Sequence, residues 1–258
     1  MQAAARAPGT LARHQRRAIL AGLVGVTLLA WLELGRMTWS MHRSMQAGIA
    51  CELHPWTAAD ALLTFLMWAV MMVGMMVPSA VPMSLLFGSV ARKACAQGAA
   101  VAPTFVFTAG YVAAWTLFSV AATALQWWLE RVALLTPMLA SASPWFGAAL
   151  LVAAGLYQWS PWKQACLEHC RSPAQFIATH WRPGRWGAFR MGLGHGLYCL
   201  GCCSLLMGLL FFGGVMNLLW VAGITLFVLL EKVAPHGRAI ARAAGVGMVA
   251  LGVAQVLR

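Results

Sequence analysis

Five of the seven cysteines fall between Cys166 and Cys203, in the runs KQACLEHC from residue 163 and HGLYCLGCC from His195. If 163–172 is helical, steps of about 100° per residue put Cys166, His169 and Cys170 within an arc of about 100°. The same rotation places His195, Cys199, Cys202 and Cys203 at about 0°, 40°, −20° and 80°, on one face of a second helix. Seven thiol or imidazole groups thus share two short faces. Thiolates are soft ligands that select Cu(I), zinc or iron–sulfur, and imidazole suits zinc, copper or iron. A structural zinc site wants four ligands in a closed tetrahedron. A site that passes metal onward stays partly open, which favours Cu(I) and leaves zinc as the alternative. Arg171 stands beside these residues as a cation able to favour thiolate. Glu168 is a candidate to orient His169 from outside the ligand shell. Cys199-x-x-Cys202 alone also matches a redox dithiol, but the βαβ context that gives that motif its meaning is missing.

Methionine supplies a second soft-ligand pattern. The run MWAVMMVGMMVPSAVPM puts Met67, Met71 and Met75 on one helical face and Met72, Met76 and Met83 on another. Thioethers can hold Cu(I) without burying anionic ligands in a membrane, and Met71 and Met75 are the candidates carried forward. Met also fills gaps in helix packing, which accounts for the same residues. Met37, Met41, Met45 and His42 form a smaller cluster near Cys51 and His54. Pro78 and Pro82 interrupt the helical hydrogen bonding of the methionine run and mark a kink or break.

The elements that must position these groups are membrane helices. The chain of 258 residues is 61% hydrophobic and 9% charged, against about 25% charged in soluble domains. No Asp, Glu, Lys or Arg occurs between Asp60 and Arg92, Lys93 and Glu130, Arg131 and Lys163, or Arg190 and Glu231. Each gap exceeds the roughly 20 residues that cross a bilayer as a helix. The fold class is all-α: a polytopic membrane helix bundle of about seven spans, near 18–34, 61–86, 103–128, 143–160, 194–212, 216–231 and 239–257. Gly213, Gly214 and Asn217 mark the turn between the fifth and sixth. The last span is the least certain to be transmembrane, because Arg242 must snorkel from its first turn.

Residues 1–17 read as a basic cytoplasmic arm and 18–258 as a single transmembrane domain. Long loops are expected at 35–60 outside and 161–192 inside. With the N-terminus inside, 14 of the 18 Lys and Arg residues fall on the inner side, as the positive-inside rule requires. The net charge of +12 therefore reports topology and does not call for a nucleic-acid partner. The six acidic residues sit at span ends or in loops, so no mid-membrane carboxylate offers a proton relay. His14, His180 and His236 lie among basic residues near the inner surface and are expected to be solvated.

The runs LMWAVMMVGMMVPSAVP, AAGLYQWSPWKQACLEHCRSP, FRMGLGHGLYCLGCC and GGVMNLLW resemble a bacterial family of predicted metal-binding integral membrane proteins. The likeness spans about residues 60–235. The family is formally of unknown function, and some members carry the label copper chaperone. The resemblance implies a multi-pass protein of the bacterial inner membrane. It also implies Cys166, His169, Cys170, His195, Cys199, Cys202 and Cys203 as metal ligands. The expected partners are membrane lipid, a metal ion, and a soluble or membrane metalloprotein. Cu(I) binding and trafficking ranks above two alternatives: an assembly factor for a metalloenzyme, and a membrane thiol oxidoreductase coupled to quinone.

Overall fold

The computed structural model describes residues 8–47, 56–98, 100 and 102–257. The first three helices are α1 (Pro8–Gln46), α2 (Ala58–Ala96) and α3 (Thr104–Arg131). Then come α4 (Pro144–Tyr157), the short α5 (Pro161–Arg171) and α6 (Pro173–His180), and α7 (Gly184–Gly208) with the single turn α8 (Leu210–Gly213). The chain ends in α9 (Leu218–Val233) and α10 (Gly237–Val256). Helix starts follow local chemistry. Thr57 and Asp60 form a reciprocal capping box on α2, the Asn217 side chain accepts from the Trp220 amide at α9, and Pro opens α4, α5 and α6, where a missing N–H costs nothing.

Contacts between segments define two ends of an all-α bundle. At one end Arg92 donates to Gln15, the Gly184 amide to the Ala100 carbonyl, and Arg171 to the carbonyls of Ala234 and Pro235. At the other, Trp56 donates to Glu130, the Val215 amide to Leu139, and Thr38 meets the Met216 sulfur at 4.0 Å. Among the described residues, α1, α2, α3, α4, α7, α9 and α10 run between these ends. Five of the passes are helices long and apolar enough to cross a membrane, α10 among them. The other two, α4 with 14 residues and α9 with 16, fall short of the usual length of about 20.

Two expected loops shrink. Helix α1 begins at Pro8 and runs 39 residues, so the arm beyond Pro8 and the Met37, Met41, His42 and Met45 cluster belong to the same helix as the first span. Met37 and Met41 pack against the bundle core; Cys51 and His54 lie outside the described residues. Residues 161–192 are not an open loop either, but α5, α6 and the first turns of α7.

Pro78 and Pro82 lie inside an unbroken α2. Pro78 withdraws the N–H that would bond the Gly74 carbonyl, and the Trp31 indole of α1 replaces it at 3.2 Å. A tertiary donor thereby keeps the helix continuous. Helices α3 and α7 approach through glycine. A Cβ on Gly192 would overlap the Phe107 carbonyl, one on Gly110 the Phe189 carbonyl, and one on Gly196 the Ala114 methyl. In lipid, where apolar side chains gain little by leaving their surroundings, such close backbone packing drives association. It sets Cys199 one turn beyond Gly196, facing α2 and α3.

One buried ion pair ties α5 to α9. Lys163 and Glu231 are 0% and 1% exposed, with Nζ 2.9 and 3.0 Å from the two carboxylate oxygens. Glu231 does sit at a span end, as expected, yet it is fully enclosed. Lys163 belongs to the interior and not to the inner surface.

Two outcomes are expected. Gly192→Val should lower stability in detergent by about 3 kcal/mol or more through overpacking, read as a fall in thermal unfolding temperature; an unchanged midpoint would refute the close α3–α7 contact. Lys163→Met should cost about 3–5 kcal/mol by stranding Glu231. Adding Glu231→Leu should recover most of that loss, and an equally unstable double variant would contradict the pairing.

Candidate metal centre

Gly201 on α7 lets α5 lie directly on the thiol helix, since a Cβ there would stand 2.5 Å from the Cys166 sulfur. The Tyr157 hydroxyl donates to the Gly201 carbonyl, fixing the end of α4 beside the same turn. Helix α5 forms as the spacing predicts, and its far turn brings Cys170 to α7. The sulfurs of Cys170, Cys199 and Cys202 lie within 4.8 Å of one another, with Cys170 and Cys202 4.0 Å apart. Three thiolates each about 2.3 Å from a central metal stand about 4 Å apart. The trio therefore needs little adjustment to take an ion. Among the described residues every cysteine is a free thiol.

The other proposed ligands stand around this trio. Cys203 is buried on the same helix face, its thiol donating to the Cys199 carbonyl at 2.8 Å. Cys166 is half-buried one turn before Cys170. Burial pushes its thiol up, and the neighbouring Cys202 adds to the shift. Cys170 is held well above the ordinary thiol range by hydrogen bonding to Cys199 and Cys202, then by burial. His195 is enclosed by the rings of Phe107, Tyr111 and Phe176, and its Nδ1 has no hydrogen-bond partner among the described residues. His169 is half-buried and stacks face to face on Tyr198 at 4.1 Å. Met71 and Met75 are each 1% exposed and belong to the same core cluster as the thiols. Met67, Met72, Met76 and Met83 are equally enclosed, because α2 is covered on both methionine faces; burial alone does not separate ligand from packing.

Three groups that the sequence did not single out complete the centre. The Lys232 ammonium at the end of α9 donates to the Cys199 sulfur at 2.8 Å and to the Ser79 hydroxyl at 3.0 Å. The Tyr111 hydroxyl lies 3.1 Å from the Cys199 sulfur and donates to the Met76 carbonyl. Lys232 is the cation beside the thiols, a place the sequence suggested for Arg171. Arg171 is instead committed to the carbonyls of Glu231, Ala234 and Pro235. Lysine next to the last turn of a span reads as an interfacial anchor, and only the packing of α9 beside α2 and α7 places it inward. Glu168 pairs with Arg238 and not with His169. His180 is not simply solvated, for its ring stacks on Phe176 at 4.7 Å.

Chemically, the centre offers three convergent sulfurs, two further thiols close by, and a buried cation able to offset thiolate charge. Among the described residues no oxygen-rich ligand set accompanies them, so hard cations are a poor match. Comparison with known proteins gives one finding: residues 65–255 match the family model described as PpoB2, copper chaperone. No curated protein and no solved structure gives a significant match. With about three quarters of its length matched and the thiol centre inside that region, the chain belongs to the PpoB2 copper chaperone family.

Proposed function

We propose that this chain binds Cu(I) at Cys170, Cys199 and Cys202 and hands it to a partner metalloprotein at the bilayer surface. The observation that carries the reading is the convergence of three thiols from two helices at one end of a membrane bundle. Three soft sulfurs without a fourth ligand suit Cu(I) as cargo better than structural zinc, which wants a closed set of four. Cys203 and His195 support the site from within α7, and Cys166 and His169 from α5. Met71 and Met75 are the soft donors on the membrane side. The five helices long and apolar enough to cross a membrane, the basic segments grouped at one end and the resemblance of the sequence to bacterial integral membrane proteins support a multi-pass protein of the bacterial inner membrane, with the N-terminus and thiol centre on the cytoplasmic side.

Purified protein should carry near-stoichiometric copper by elemental analysis. Cys199→Ser/Cys202→Ser and Cys170→Ser should each lose this sulfur-coordinated copper while remaining folded, whereas Cys203→Ser should keep most of it. Sulfur-coordinated copper retained in the double variant would overturn the assignment, and zinc in place of copper would make the site structural.

Cys170 rests as a thiol but must bind as thiolate, so loading releases a proton. Raising the pH from 6 to 8 should therefore strengthen Cu(I) binding in a competition titration. An affinity independent of pH over that interval would remove Cys170 from the ligand set.

A further inference from the structure

His169 and His180 come from different helices, α5 and α6, and both line one small cavity of about 260 Å³ at the α5–α6 end of the bundle. Their ring centroids are 6.4 Å apart, edge to face. The His169 ring is held in the form a metal requires. Its Nδ1 lies 2.9 Å from the Ala165 carbonyl; a carbonyl only accepts, so Nδ1 carries the hydrogen and Nε2 is left for an ion. Nδ1 of His180 lies 2.8 Å from the Thr179 hydroxyl and 3.2 Å from the Phe176 carbonyl, contacts that hold its ring in place. Metal-binding histidines are typically held in this way, through the second ring nitrogen. Stacking on Tyr198 fixes the plane of His169, and stacking on Phe176 fixes that of His180.

The pair also stands on a route inward. Phe176 contacts His180 on one side and His195 on the other, at 4.7 and 5.4 Å. His195 is 3% exposed with an unpartnered Nδ1, one helical turn from Cys199. His180 further lines a second cavity of about 520 Å³ that reaches Cys166 and Tyr198. Donors therefore succeed one another from the half-exposed imidazoles to the buried sulfurs.

We propose that His169 and His180 form a two-imidazole Cu(I) site at the mouth of the thiol centre, through which copper exchanges between the aqueous phase and the sulfurs. Imidazole binds Cu(I) less tightly than a thiolate set, so the site holds the ion briefly and the sulfurs hold it longer. The inward direction rests on the thiol-centre reading; the two-imidazole site itself does not.

Cu(I) supplied as its bicinchoninate complex to detergent-purified full-length protein tests both parts. In an otherwise wild-type chain, His180→Gln should leave the sulfur-bound copper at equilibrium unchanged and slow its uptake about tenfold or more. In a Cys199→Ser/Cys202→Ser background, one weaker Cu(I) should remain with nitrogen-only coordination by X-ray absorption, and should vanish when both histidines are replaced. Uptake at the wild-type rate in the histidine variant would overturn the exchange role. No histidine-dependent copper in that double-serine background would overturn the site. Failure of the thiol centre would appear separately, as wild-type protein with no sulfur-coordinated copper.

Discussion

An ammonium group enclosed in an apolar bundle must be met by polar or anionic partners, because a stranded charge there costs several kcal/mol. Lys232 imposes this condition at the end of α9. Its partners come from two helices, Ser79 on α2 and Cys199 on α7, and Tyr111 of α3 joins them through Cys199. Three helices must be in register before the charge is satisfied, which couples the packing of the bundle to the chemistry of one sulfur. Under the proposed function Cys199 then serves two cations, the ammonium in the empty protein and copper in the loaded one. Three thiolates offset both positive charges, where a single thiolate would balance only one of them.

The same end of the bundle is held by a second buried charge pair of purely structural kind. Lys163 and Glu231 join α5 to α9, and Arg171 clamps the α9–α10 turn through three carbonyls. Helix α5 is thereby fixed at both of its ends, and Cys170 is presented to α7 on a rigid support. A ligand carried on a helix that is itself anchored keeps its geometry better than one on a free loop. Under the proposed exchange role, the surface above it, formed by His169, His180 and Tyr198, is the face through which an ion reaches the thiols.

Much of this was readable from residue order. Charge-free stretches announced the helices, Gly213, Gly214 and Asn217 announced the turn before α9, and the i, i+3 and i+4 spacings announced the thiol faces of α5 and α7. Each of these signals is local, set by helical rotation or by the cost of charge in lipid. The extent of α1 was harder to read, because a polar helix continuing beyond the bilayer has the composition of a loop. Lys232 and Lys163 were misplaced for a related reason. A basic residue at a span end looks the same whether it faces headgroups or turns inward.

The sequence by itself determined that this is an all-α membrane protein with soft ligands gathered on two short helical faces, since hydropathy and helical period are properties of neighbouring residues. Which thiols meet was decided only by the tertiary structure. Cys170 joins Cys199 and Cys202 because Gly201 admits α5 against α7, while the sulfur of Cys203, on the same face of α7, stays outside that trio. Distances between helices depend on glycine contacts and buried charge pairs far apart in the chain, and no spacing along one helix encodes them.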